Sequence, residues 1–382
     1  MKILYIYPQL VHCAGTERIL IEKANCLAEL YNYDVTILTY QQGNHVFPYP
    51  ISDRVKHVDL EVNFDFLYKY NVLKRFWKWH HLDKILHNRF NNFVQKINPD
   101  IIISTTGFTR VTSLVAKCPI RTIRIAESHV DLRYQKVHST FGNTNILRKL
   151  RVCYDIWGIR NNIRQYDLLI ALNKADANDW SRYVNTRVIT NVVHLNPFDK
   201  IASLHSKHVI FVGRYVPQKG LLDLLKIWNL VNKKHPDWHL DLFGEGEQKD
   251  MLVAESECLH ANIHIHHPDS QIFNRYLESS IFVLTSYYEP FGLVMPEAMS
   301  CGLPVVAFNC PYGPAEIITD GIDGYLVNNR NIQQFADRVC QLIESEVLRK
   351  KMGQAAISSS KRYKSEFIMP QWKSLLESYV NF

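Results

Sequence analysis

Short apolar runs alternate with longer amphipathic stretches along the whole chain. In the first half, Lys2–Tyr7, Asp34–Thr39, Asp100–Thr105, Arg121–Ala126 and Asp167–Leu172 have the length of strands. Thr16–Tyr31, Leu82–Ile97 and Lys174–Tyr183 repeat their apolar positions with helical spacing. The second half keeps the rhythm, with strands predicted at His208–Val212, His239–Phe243, Asn262–His266, Ile281–Thr285, Pro304–Phe308 and Gly324–Val327. Helices are predicted there over Gly220–Lys233, Gln248–Leu259 and Ile332–Glu344. The apolar runs are continuous and β-branched rather than alternating, as in parallel strands buried on both faces. Two successive βαβα series predict an α/β chain of two doubly wound, Rossmann-like domains. The seam is placed in Asn191–Lys207, which carries Asn196-Pro197 and little periodicity, giving domains at 1–195 and 196–365. The last segment, 366–382, reads as a helix with an apolar face (Phe367, Ile368, Trp372, Leu375, Leu376, Tyr379) that packs back on the N-terminal domain.

Composition changes this picture little, and charge changes it more. The 382 residues are 47% apolar and 21% charged, which excludes collagen-like, coiled-coil and wholly disordered chains. The net charge of +7 is unevenly divided: residues 1–190 hold 26 basic and 16 acidic side chains, whereas 191–382 hold 18 and 21. A basic N-terminal half favours an anionic surface or substrate. The eight cysteines form no Cys-x-x-Cys pair and no zinc pattern with nearby histidines, so reduced thiols in a cytoplasmic protein are expected. The first apolar run is too short for a signal-peptide core, and no stretch is long enough for a spanning helix.

In open parallel sheets ligands bind beyond the carboxyl ends of the strands. Four such places carry candidate chemistry. Gly15 follows the first strand and opens a helix, where free amides suit an anion; many helices begin this way without one. After His208–Val212, the loop Gly213-Arg214-Tyr215-Val216-Pro217-Gln218-Lys219-Gly220 offers a guanidinium fork and an ammonium to a diphosphate, unless it is simply a solvated loop. After His239–Phe243, Gly244-Glu245-Gly246 would let a backbone approach a planar base, although an ordinary turn explains it nearly as well. The fourth is Ser286–Ala298, where Pro290 and Gly292 put Glu289 on a loop. Pro296 suits a first helical position, which sets Glu297 in the first turn of a short helix ending near Gly302. Glu297 there also suits the helix dipole alone.

The run Glu289 to Ala307 (EPFGLV-x-PEA-x-x-CG-x-PVVA), the Glu-x7-Glu spacing of Glu289 and Glu297, and GR-x4-KG at Gly213–Gly220 resemble glycosyltransferase family 4. The GEG turn and the segment Gly324–Val327 match as well, and the resemblance is strongest over 208–330. It implies the GT-B fold, in which two Rossmann-like domains face each other across a cleft and a C-terminal helix crosses back. It implies that Arg214 and Lys219 hold the donor's diphosphate. Glu289 would contact the donor hexose, with the amides of Phe291, Gly292 and Leu293 on sugar hydroxyls and the β-phosphate. Glu297 would bind the ribose, and Gly213, Gly244 and Glu245 would complete the donor site. The Gly15 loop would close over the diphosphate, and His129 would lie near the reacting edge of the sugar, a core or capping histidine being the competing reading. Two departures are Ala14, where relatives commonly carry a second glycine, and the glycine-free segment His266-His267-Pro268-Asp269.

The reaction so implied is transfer of a hexosyl unit from a nucleoside diphosphate sugar to an acceptor hydroxyl with retention. The turn Asn309–Glu316 is similar to that of relatives using UDP-sugars. No Asp-x-Asp occurs, so no metal and no cofactor beyond the nucleotide-sugar co-substrate is expected. Carboxylate spacing alone leaves room for a retaining glycoside hydrolase, but a hydrolase has no diphosphate to neutralise. A nucleotide-sugar epimerase or a non-catalytic sugar-nucleotide binding protein on the same scaffold stays open. An NAD oxidoreductase does not fit, because no Gly-x-Gly-x-x-Gly follows the first strand.

Residues 64–90 interleave aromatic side chains with Lys69, Lys74, Arg75, Lys78, Lys84 and Arg89, and 148–164 is a second basic stretch. Such mixtures suit an anionic membrane surface. The alternative is an amphipathic helix whose aromatics face the core. No nucleic-acid module accompanies the patch. A lipid-linked glycan acceptor, met at the inner face of the cytoplasmic membrane during surface polysaccharide assembly, is the corresponding expectation.

Overall fold

The computed structural model describes residues 1–11, 15–130, 132, 146–198 and 200–380. Cys13 and Ala14 of the first loop lie outside them. The chain divides into two compact units, Met1–Val192 with Ser365–Phe382, and Val193–Lys364.

The first unit is built on a seven-stranded sheet of order β3-β2-β1-β4-β5-β6-β7. Its strands are β1 (Lys2–Ile6), β2 (Asp34–Thr39), β3 (Val55–Asp59), β4 (Ile101–Thr105), β5 (Ile123–Ser128), β6 (Leu168–Ala171) and β7 (Thr186–Val188), all paired in parallel. Alternate residues feed two cores. Ile3, Tyr5, Ile37 and Ile103 pack with Leu20, Ala24 and Leu27 of α1 (Gly15–Tyr31). Ile368, Met369, Trp372 and Leu376 of the C-terminal helix (Ser365–Val380) join this cluster. On the other face, Leu4, Ile6, Leu38 and Ile102 meet Leu86, Phe90 and Val94 of α2 (Val72–Ile97), and Val111 and Leu114 of α3 (Thr109–Ala116). Ile159 and Ile163 of α4 (Ile146–Ile163) complete that layer.

β3, β7 and the start of α2 depart from the sequence pattern, each for a local reason. β3 and β7 were not predicted because they are edge strands with polar, partly exposed residues and so lack an apolar run. Helix α2 begins at Val72 rather than Leu82, where Asn71 caps it by accepting from the Lys74 amide. Its first turns carry no core-facing stripe, since Val72, Leu73, Phe76 and Trp77 are exposed.

The second unit has a six-stranded parallel sheet of order β10-β9-β8-β11-β12-β13. The strands are β8 (His208–Val212), β9 (His239–Phe243), β10 (Ile263–His266), β11 (Ile281–Leu284), β12 (Val305–Phe308) and β13 (Gly324–Val327). In this order β8 lies between β9 and β11, so the crossover reverses direction there. The loops following β8 and β11 therefore meet at one end of the sheet, where a doubly wound sheet binds its ligands.

Candidate active site

The loop after β8 is fixed by backbone contacts before any ligand is considered. The Gly213 amide donates to the Phe243 carbonyl at 3.0 Å and the Tyr215 amide to the Glu245 carbonyl at 2.8 Å. Tyr215 is fully buried, and its hydroxyl lies 2.7 and 2.8 Å from the carbonyl oxygens of Leu242 and His266, which share its one proton. A Cβ on Gly244 would lie 1.9 Å from the Gly213 carbonyl oxygen. The close approach anticipated for Gly244 is thus made to neighbouring backbone. Glu245 is exposed on this turn. Gly220, with φ +64°, caps the helix Leu221–Lys234, and a Cβ there would meet the Thr285 carbonyl oxygen at 2.2 Å.

These contacts seat Lys219 beside the loop that follows β11. Its ammonium donates to Glu289 Oε2 at 2.7 Å, with only 11% and 8% of the two side chains exposed. The Ser286 hydroxyl donates to the same carboxylate oxygen at 3.0 Å. Residues 70 apart in sequence thereby form one buried ion pair at the carboxyl end of the sheet. Arg214, from the same loop as Lys219, is exposed and forms no salt bridge with a described residue. Gly292 lies between Glu289 and Met295 at φ +88°, and a Cβ there would come within 2.9 Å of the Glu289 Cγ. Glycine at this place gives the turn its left-handed backbone and leaves room for the carboxylate.

The helix after this turn is Val294–Ser300, two residues longer at its start than the position of Pro296 suggested. Proline at the third helical position is tolerated because the amides of a first turn have no intrahelical acceptor. Glu297 remains in the first turn and is buried. Phe291, Gly292 and Leu293 precede the helix, and their amides donate no backbone hydrogen bond among the described residues. The turn Asn309–Glu316 supports the loop from below: the Gly313 amide donates to the Glu289 carbonyl at 2.7 Å.

Arg330 was not singled out by its sequence context. Its guanidinium donates to the carbonyls of Thr285 and Ser286 at 2.6 and 3.1 Å and to Asp223 Oδ2 at 3.0 Å. It also stacks on Tyr287 and Phe308, each ring centroid 4.1 Å away. Arg330 therefore fixes the strand end from which Ser286 and Glu289 project.

In the first unit, His129 follows β5 and lines a cavity of about 320 Å³ with Tyr7, Thr16, Phe108, Asp155 and Ile159. Gly15, exposed, opens α1 one residue before Thr16. His129 Nε2 lies 2.8 Å from Glu127 Oε2, which also accepts from Lys23. Burial by itself would raise the pKa of Glu127, but Lys23 and His129 outweigh it and bring the carboxyl down to about 2. An ionised carboxylate only accepts, so Nε2 is the protonated nitrogen and Nδ1 is the one not committed to Glu127. Lys23 sits 4.6 Å above the ring of Trp372. Glu127 and Lys23 were missed because their partnership spans 104 residues. The adjacency of Glu127 to His129 in an apolar strand end was the available signal.

Residues 196–359 match the family model for glycosyl transferases group 1. The chain is 28% identical to the amylovoran biosynthesis glycosyltransferase AmsD of Erwinia amylovora over 98% of its own length and 99% of that protein's. It is 24% identical, over 100% of its length and 99% of the relative's, to the Campylobacter jejuni GalNAc-alpha-(1->4)-GalNAc-alpha-(1->3)-diNAcBac-PP-undecaprenol alpha-1,4-N-acetyl-D-galactosaminyltransferase. A variant of S. aureus TarM, crystallised with fondaparinux, alpha-GlcNAc-glycerol and UDP, has the same fold: TM-score 0.76, 18% identity, covering 98% of this chain and 99% of that one. Strand order and the architecture shared with GT-B proteins agree with these matches: the chain is a glycosyltransferase, and its residues 196–359 are similar to the group 1 glycosyl transferases.

Proposed function

We propose that this chain is a retaining family 4 enzyme that moves a hexose or N-acetylhexosamine from a UDP-sugar to a hydroxyl of a lipid-linked glycan acceptor in bacterial surface polysaccharide assembly. The observation that carries the reading is the meeting of Lys219 and Glu289 at one strand end, with Arg214 exposed on the same loop. Departure of a nucleoside diphosphate builds negative charge on its β-phosphate, and two fixed cations stabilise that charge as it develops. In this reading Arg214 and Lys219 hold the diphosphate, so the transfer needs no metal. Glu289 accepts hydrogen bonds from hydroxyls of the donor sugar, while the amides of Phe291, Gly292 and Leu293 donate to the sugar and phosphate. Glu297 accepts from the ribose. The first unit binds the acceptor, and His129, oriented by Glu127, hydrogen-bonds the sugar near its reacting carbon. UDP as the nucleotide is favoured by its presence in the TarM complex, and a lipid-linked acceptor by the undecaprenol substrate named for the Campylobacter relative.

The surface of the first unit supports a membrane-borne acceptor. On α2 the exposed aromatics and aliphatics include Trp77, 73% exposed, among Lys74, Arg75 and Lys78. On α4, Ile146, Leu150, Tyr154 and Trp157 recur at helical spacing and are all exposed, beside Lys149 and Arg151. Apolar patches framed by cations suit the headgroup region of an anionic bilayer. No helix among the described residues is long and apolar enough to cross a membrane, so attachment in this reading is peripheral, at the inner face of the cytoplasmic membrane.

The test is to incubate the protein with UDP-, GDP- and ADP-sugars and a polyprenyl-diphosphate glycan in anionic or neutral vesicles. Free UDP and an α-linked lipid product are expected, formed faster on anionic vesicles and lost in Glu289→Ala. Epimerised donor without UDP release would overturn the transferase reading. Equal rates on the two kinds of vesicle would overturn the membrane contact.

A further inference from the structure

A doubly wound sheet has both faces covered by helices and is apolar on both. One face of the second unit's sheet departs from this at β8, β9 and β10. In the parallel register His208 pairs with His239, Asp241 with His264, and Phe243 with His266. Because side chains alternate along a strand, His208, His239, Asp241, His264 and His266 all stand on the same face. Four imidazoles and a carboxylate thus occupy positions where aliphatic side chains are the norm.

The carboxylate forms the floor of this group. Asp241 is only 11% exposed at its side chain, whereas His208, His264 and His266 are 41–46% exposed around it. Asp241 Oδ1 lies 3.0 Å from His264 Nδ1 and 3.1 Å from His266 Nε2, and Oδ2 lies 2.6 Å from His208 Nδ1. One ligand atom from each of Asp241, His264 and His266 falls within 4.8 Å of the other two. The ring of His239 stacks between those of His208 and His264, with centroids 5.1 and 5.2 Å away. A cavity of about 710 Å³, lined by His208, Asp241, Phe243, His266, Arg275 and Ser279, opens beside the group.

In a tetrahedral site with bonds of about 2.0–2.1 Å, neighbouring ligand atoms are roughly 3.3 Å apart. The two Asp241–imidazole separations already lie near that value, and the exposed rings can turn to close the remaining distance. Imidazole with carboxylate is the donor set of Zn²⁺ and its neighbours, whereas Ca²⁺ and Mg²⁺ call for oxygen ligands throughout. An anion is disfavoured by the carboxylate at the floor. Asp241 is mid-strand and His208 and His239 open their strands, away from the loops 213–220 and 244–246 that follow the other ends, whereas His266 closes β10 beside those loops and its carbonyl accepts from the Gly244 amide at 3.3 Å.

We propose that Asp241, His264 and His266 bind one borderline divalent transition-metal ion of the Zn²⁺ type, with the fourth position open to solvent. His208 acts as a positioning residue, its Nδ1–H held on Oδ2 so that Oδ1 faces the metal. The site ties β9 to the edge strand β10, which has no further strand beyond it.

Zn²⁺ titration of the chelator-stripped, full-length protein against a chromogenic competitor at about pH 7.5 tests the site. One equivalent is expected to bind in the micromolar range or tighter. His264→Gln/His266→Gln should weaken binding by on the order of 100-fold or more, and His208→Gln by roughly 10-fold. Both replaced histidines of the double variant are solvent-facing, and its metal-free far-UV circular dichroism and melting temperature should match those of the parent. Co²⁺ should give the intense visible bands of a tetrahedral ion in the parent alone. Wild-type protein that takes up no Zn²⁺ below millimolar concentration would overturn the proposal. So would a folded double variant that binds as tightly as wild type, because the ion would then be held by thiols such as the exposed Cys153 and Cys258.

Discussion

Replacing Lys219 by methionine keeps the length of the side chain and removes its charge. Glu289, 8% exposed, would then be a nearly buried carboxylate whose remaining partner in the pair's environment is the Ser286 hydroxyl at 3.0 Å. Deleting one member of a buried ion pair costs about 3–5 kcal/mol, because the other charge is stranded away from water. In a domain of roughly 150–250 residues, 1 kcal/mol moves the melting temperature by about 2–4 °C, so a fall on the order of 10 °C is expected for the second unit. Adding Glu289→Gln to Lys219→Met removes the stranded charge, and about 2–3 kcal/mol of the loss should return. Glycosyl transfer should be absent in both variants, since both lack the ammonium proposed to hold the donor's diphosphate. Calorimetry of the four members of this cycle, alongside UDP release, separates the two effects. A Lys219→Met protein that melts with wild type, or two substitutions whose costs simply add, would refute the reasoning.

Glu127 gives a pH signature. Its folded pKa, about 2, lies below its ordinary 4.5, so its contribution to stability is full above pH 4.5 and is lost as pH falls toward 2. The upper limit of that contribution is about 3 kcal/mol. Urea unfolding of Lys23→Met/Glu127→Gln, followed by tryptophan fluorescence, should be less pH-dependent than wild type in this window; an unchanged slope would show that Glu127 is not the group titrating. At Gly292, alanine must adopt φ +88° and crowds both the Met295 Cε at 2.6 Å and the Glu289 Cγ at 2.9 Å. We expect a stability loss of about 1–2 kcal/mol and a fall in kcat/KM on the order of 10-fold or more, read from initial rates and melting curves. Activity at the wild-type level would mean that the Glu289 carboxylate is free to move.

What the sequence made legible is what local pattern encodes. Buried parallel strands need unbroken apolar runs, so β11 and β12 could be located almost to the residue, whereas the edge strands β3 and β7 could not. Pro290 and Gly292 marked a loop for the same reason, because each restricts its own backbone. Partnerships do not follow from local pattern. Lys219 meets Glu289, Arg330 meets Asp223 and Lys23 meets Glu127 across 70, 107 and 104 residues. Each pairing depends on the order in which strands take their places in a sheet. The glycines show the limit most clearly. Gly213 and Gly244 follow strand ends and Gly220 caps a helix, and each permits a close approach, which from the sequence could be made by a ligand. The structure gives Gly244 and Gly220 a neighbouring carbonyl at 1.9 and 2.2 Å from where a Cβ would stand. Their requirement is therefore met within the chain, by contacts that hold the loop carrying Arg214 and Lys219. The histidine face is the converse case. Asp241, His264 and His266 each look unremarkable in their own strands, and only the register of β9 and β10 brings them together on one face.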